Sequence, residues 1–176
     1  MNHEDLFFVD ETSSNIAMTR RYARSPRGER AGGHVPRNYG TCTTLVAALS
    51  PGGLGEAMTL PGAMDTAAFT VYIRDLLCPS LRPGQVVVID NLSCHHAAGV
   101  RELIESRSCT LRFLPSYSQD FSPIEQAFSK IKEALRAAGA RGQETLDEAI
   151  SQAIALVTQA DAFGWFNHCG YPVCSN

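Results

Sequence analysis

The chain has 176 residues, 44% hydrophobic and 19% charged, with a formal net charge of −3. That is enough for one domain with a continuous core, and it excludes a disordered or fibrous protein. No apolar run approaches the ~20 residues of a membrane span, and the acidic start Met1-Asn2-His3-Glu4-Asp5 lacks the basic opening of a signal peptide, so a cytoplasmic protein without a membrane partner is expected.

Leu6-Phe7-Phe8-Val9 predicts a buried strand ending near Asp10. Residues 12–38 carry Ser, Pro, Gly and Arg without periodicity and predict a long irregular loop, a kind more often functional than idle. Six arginines (20, 21, 24, 27, 30, 37) stand there against Glu29 alone, a local +5 on a remainder of −8. Such a segment suits a local contact with an anion, or simply a solvated loop. Residues 41–49 and 56–60 predict two strands about the turn Pro51-Gly52-Gly53. Asp65 can cap a helix over 66–77, with Ala68, Phe69, Tyr72, Ile73, Leu76 and Leu77 on one stripe. After the break at Arg82-Pro83-Gly84, residues 86–89 form a continuous apolar run, as in a strand buried on both faces. A helix over about 96–105, a strand over 111–114, a helix opened by Ser122-Pro123 and closed by Gly139 and Gly142, and a last long helix over 145–158 follow.

Three antiparallel strands followed by strands joined through helices predict one α/β domain over residues 1–176. The expected architecture is a mixed five-stranded sheet flanked by helices, which resembles the RNase H-like fold. The six cysteines form no CxxC pair and read as small buried apolar residues. Neither Cys94-His95-His96 nor His168-Cys169 with Cys174 has the paired spacing of a structural zinc site.

Three carboxylates stand at element ends: Asp10 in "FFVDET", Asp90 in "VVVIDNLSCHH" and Glu125 in "SPIEQAF". An aspartate at the end of an apolar strand is costly to bury unless paired or metal-bound. Two on neighbouring strands would raise each other's pKa, a conflict that a divalent cation removes. Oxygen-rich sites of this kind suit Mg²⁺ or Mn²⁺. Taken singly, Asp10 and Asp90-Asn91 also read as turn residues, and Glu125 as a capping-box residue bonded to the Ser122 N–H. Glu11 should point to the opposite face of the strand and read as structural.

With 34 residues between Asp90 and Glu125, and with "FVDET", "VVVIDNLSCHH" and "LPSYSQDFSPIEQAFSKIK" in order, nearly the whole chain resembles the catalytic domain of a DDE transposase. The nearest likeness is to the bacterial insertion-sequence branch of the mariner-like superfamily. The resemblance implies that Asp10, Asp90 and Glu125 bind two Mg²⁺ ions, with Mn²⁺ an alternative. It further implies that water cuts a DNA strand at the transposon end and that the freed 3′-hydroxyl attacks target DNA. A homodimer working on paired ends is implied as well. Relatives carry helix-turn-helix modules ahead of this domain, and the expectation is that this part is separate or missing here.

With DNA as the expected substrate, Arg24, Arg27, Arg30 and Arg37 read as phosphate contacts, a subunit interface being the alternative. Asn91 and His95 could orient a ligand or touch phosphate. Lys130 and Lys132 could line a DNA groove or lie on a solvated helix face. Two competing readings stay open: a nuclease on the same fold, and a non-catalytic DNA-binding or assembly protein derived from a transposase.

Overall fold

The first strand, β1 (Leu6–Ser14), lies at the centre of a five-stranded sheet of order β3-β2-β1-β4-β5. The structure is a computed structural model that describes residues 2–91 and 98–173. β2 (Thr43–Ser50) and β3 (Gly53–Pro61) continue the sheet antiparallel on one side of β1. β4 (Val86–Ile89) and β5 (Thr110–Phe113) continue it parallel on the other. The mixed sheet expected from sequence is thus present.

Period-two alternation along the strands divides the core. Leu6, Phe8, Leu45, Ala47, Leu49, Val86 and Val88 pack against α4 (Pro123–Ala138), α5 (Gln143–Ala155) and α6 (Gln159–His168). Val9, Val46, Ala48, Val87 and Ile89 face α1 (Thr66–Tyr72), a π turn (Ile73–Leu77), α2 (Cys78–Ser80) and α3 (Ala98–Ser106). Residues 86–89, apolar throughout, are accordingly buried on both faces.

Local chemistry sets most boundaries. The Asp65 carboxylate accepts from Ala68 N–H at 2.8 Å and starts α1 as expected. The helix expected over 66–77 runs on to Ser80 through the π turn, where Cys78 N–H reaches back to Ile73 O just before Pro79, which has no N–H to give. Gly139, at φ 61°, closes α4 with the left-handed backbone that glycine adopts readily. The helix expected over 145–158 is two helices: α5 stops at Ala155, and Thr158 caps α6 through a reciprocal pair with Asp161. The helix expected to begin at His96 is described only from Ala98. Cys42, Cys78, Cys109 and Cys169 are free thiols, and the last three are buried. Among the described residues no helix is long and apolar enough to cross a membrane.

Candidate active site

β1 and β4 pair in parallel from Leu6↔Val86 to Val9↔Ile89, so the next step along each strand brings Asp10 beside Asp90. β4 ends there, whereas β1 continues to Ser14 paired with β2. Asp10 therefore does not close its strand as expected; it marks the point where β1 loses its parallel neighbour and its edge opens. Alternation carries Asp10 with Leu6 and Phe8 toward the α4 face.

That face receives Glu125 from the first turn of α4. Ile124, Ala127 and Phe128 bury around it and fix the helix on the sheet. Ser122 takes the N-cap position, but its side chain makes no capping bond, and its N–H donates to Gln119 O at 2.9 Å. The capping-box role weighed for Glu125 is therefore not needed. Asp10, Glu11, Asp90, Asn91, the segment 114–119, Ser122 and Glu125 together line a cavity of about 730 Å³.

Leu114 N–H donates to Ile89 O at 2.8 Å, extending the β4–β5 pairing by one step before the chain turns into the cavity wall. Asn91 Nδ2 donates to Ser116 Oγ at 3.4 Å and ties that wall to the end of β4. Tyr117, in the same wall, is fully exposed and has a positive φ of 61°.

Electrostatics couple the acids. Burial pushes the Asp10 carboxyl up to about 7, and repulsion from Glu11, Glu125 and Asp90 adds to it. The Glu11 N–H, 2.7 Å from Asp10 Oδ1, pulls the other way without prevailing. Glu11 pairs in register with Val46 of the opposite face, as expected, yet it borders this cavity and contributes a fourth carboxylate that sequence reasoning set aside. The donors are all hard oxygens, and a cation among them would relieve the repulsion. Among the described residues no three His, Cys, Asp or Glu side chains already enclose an ion position. An open arrangement of this kind suits an ion that keeps several of its waters.

The basic candidates stand elsewhere. Arg24, Arg27, Arg30 and Arg37 are exposed in the irregular segment between β1 and β2. Arg141 anchors the start of that segment by donating to Ile16 O and Met18 O at 2.9 Å each. Lys130 is engaged with Asp161 of α6 at 2.5 Å, and Lys132 is half-buried. Among the described residues no lysine or arginine lines the acid cavity. His95, with Cys94 and His96, lies outside the described residues.

Residues 5–147 match the family model described as DDE superfamily endonuclease. No curated protein matches the sequence. Among solved structures, the chain is similar to a pre-cleavage Mos1 transpososome with a TM-score of 0.76 at 16% identity, covering 95% of this chain and 53% of that one. It is similar to the Mos1 mariner paired end complex with Mn at a TM-score of 0.73 and 16% identity, with 95% and 53% covered. The Mos1 transposase catalytic domain with Raltegravir and Mg gives a TM-score of 0.65 at 16% identity, with 97% and 79% covered. The chain spans about half the length of the first two. At these identities the likeness is one of fold, the RNase H-like fold anticipated from sequence.

Proposed function

The chain belongs to the DDE superfamily endonucleases, and from that premise we propose that it is the catalytic domain of a transposase of the mariner-like kind. Its reaction is cleavage of a DNA strand at a transposon end, followed by transfer of that end to target DNA. The carrying observation is the parallel register that sets Asp10 beside Asp90 on the face where α4 delivers Glu125. Asp10, Asp90 and Glu125 would hold two divalent ions, Mg²⁺ or Mn²⁺, which when bound supply activation of the attacking oxygen and charge stabilisation for the leaving one.

In the first step water attacks phosphorus and the P–O3′ bond breaks, leaving a 3′-hydroxyl and a 5′-phosphate. In the second, that 3′-hydroxyl attacks a target phosphodiester, a new P–O3′ bond forms, and the target's own P–O3′ bond breaks to release a 3′-hydroxyl on the target strand. The chain's own part is to hold the acids on a rigid sheet edge, with Asp10 giving up its proton before it can serve as a ligand. Asn91, through Ser116, keeps the wall in place. Arg24, Arg27, Arg30 and Arg37 would meet phosphates beyond the cavity, and Lys132 with Lys130 would border the duplex along α4. Recognition of element ends is assigned to a helix-turn-helix part outside this fold, with two copies acting on paired ends in a cytoplasmic, bacterial insertion-sequence setting.

Nicking of supercoiled plasmid in Mn²⁺ or Mg²⁺ tests this reading. Wild type should nick, and Asp90→Ala and Glu125→Gln should each lose on the order of 10² or more in rate, as expected when groups that stabilise transition-state charge are removed. DNA binding without nicking, or nicking that survives both substitutions, would favour the assembly-protein reading or a site elsewhere.

A further inference from the structure

The acid cavity does not end at Glu125. A second chamber of about 620 Å³ is lined by Ser122, Glu125, Gln126 and Ser129 of α4 and its cap, by the turn Gln119–Phe121, and by His168, Cys169 and Gly170 at the end of α6. Gln119, Ser122 and Glu125 border both chambers, whereas Asp10 and Asp90 border only the first. The two chambers therefore adjoin over the N-terminus of α4, with Glu125 on their common border.

Charge decides what the second chamber can take. Among the described residues neither chamber has a lysine or arginine in its lining, and the second adds Asp120 to Glu125. A phosphate there would meet two carboxylates with no lysine or arginine to offset them, His168 being the one side chain of the lining that can carry positive charge. The remaining side chains are two primary amides, two hydroxyls, the Cys169 thiol, the His168 imidazole and the Phe121 ring. Gln126 donates one N–H to Cys169 Sγ at 3.6 Å, which orients the amide and leaves its carbonyl oxygen and second N–H for another partner. Phe121 is 54% exposed as a residue, while its backbone is fixed on both sides. Its N–H donates to Ser118 O at 3.1 Å, and its carbonyl accepts from Tyr171 Oη at 3.0 Å. Tyr171 in turn packs against Phe8, with ring centroids 5.1 Å apart. An aromatic face held open beside paired amide donors and acceptors matches an unpaired nucleobase, which stacks on a ring and offers a hydrogen-bonding edge.

We infer that this chamber is a subsite for one unpaired nucleobase next to the phosphate that is cut, with Phe121 as its stacking face and Gln126 and Gln119 on its edge. The inference rests on the proposed transposase reading and adds that the strand is held locally open on the chamber side of Glu125. Phosphates of the same strand would follow the rim, away from Asp120.

The test compares Mn²⁺-dependent binding of fluorescein-labelled oligo(dT) with that of an abasic oligonucleotide of equal length, by anisotropy, alongside plasmid nicking. Wild type should favour oligo(dT) by at least about fivefold, the lower end of what stacking one base on an aromatic supplies. Phe121→Ala and Gln126→Ala together should erase most of that preference while leaving abasic binding unchanged, and Phe121→Trp should restore it in the Gln126-intact protein. Equal retention of the two oligonucleotides by wild type, including retention of neither, with nicking intact, would overturn the inference alone. Equal loss on both oligonucleotides in the double variant would also overturn it. Absence of both nicking and Mn²⁺-dependent binding in wild type would remove the transposase reading along with it.

Discussion

Burial beside three other carboxylates leaves Asp10 protonated over a pH range in which an ordinary aspartate is charged. Because burial raises its pKa from an ordinary 3.8 to about 7, the stability linked to this group is full below about pH 4 and is lost as pH rises through about 7. Without metal, the protein should therefore weaken between pH 4 and 8 by roughly 2–4 kcal/mol from this residue. Asp10→Asn should flatten that dependence, as read from urea midpoints at pH 5 and pH 8; an unchanged slope would show that the carboxyl is not buried with its neighbours. Asp10, Asp90 and Glu125 could be singled out in the sequence only as a set, since each alone also read as a turn or capping residue. The extent of the site was not legible there. Alternation assigned Glu11 to the opposite face of the strand, and its place on the cavity depends on β4 being shorter than β1, which no local pattern encodes. Nor could the sequence show that a non-glycine residue, Tyr117, takes a positive φ in the wall.

At the scale of elements, the joint between α4 and α6 combines apolar packing with a polar contact. Asp161 carries it: its carboxylate accepts from Thr158 N–H at 2.8 Å, closing the α6 cap, and pairs with Lys130 of α4 at 2.5 Å. The Lys130 contact and the cap together hold the Asp161 carboxyl down to about 2. A depressed folded pKa contributes stability that is present above the usual aspartate range and lost as pH falls from about 4 toward 2. Asp161→Ala should cost about 1–2 kcal/mol, mostly through the cap, since a partly exposed ion pair adds little. A urea titration at neutral pH measures this, and a cost near zero would mean α6 is held by apolar packing alone. Gly139→Ala should cost about 1–2 kcal/mol because φ 61° strains any residue with a Cβ, although the new methyl would meet nothing closer than Arg141 Nη2 at 3.8 Å. The boundary between α5 and α6 was hidden because Ile154 and Val157 continue the helical spacing past the true stop. The spacing Thr158-x-x-Asp161 carried a start signal that the apolar periodicity outweighed.

Across the whole molecule, the sheet order follows from general rules of connection. Antiparallel neighbours β1, β2 and β3 follow in chain order, and crossovers through α1–α2 and α3 place β4 and β5 parallel beyond β1. That topology puts the chain's first and fourth strands side by side, and with them two acids 80 positions apart in sequence. Before β1 begins, the two ends of the described chain meet: His3 Nδ1 lies 2.9 Å from Pro172 O, and the His3 and Tyr171 rings meet edge-on at 5.8 Å. Tyr171 then braces the turn that leads to Glu125. The site is thus assembled from β1, β4, α4 and the C-terminal segment, which explains why no single stretch of sequence outlines it.

Calorimetric titration of Mn²⁺ into the wild-type protein and Asp90→Ala is the most direct measurement of whether these acids form a metal centre. The account predicts saturable binding in wild type that strengthens as pH rises through about 7, where Asp10 loses its proton, and that is lost in Asp90→Ala. Equal binding by the two proteins, or no binding by wild type even with DNA supplied, would contradict it.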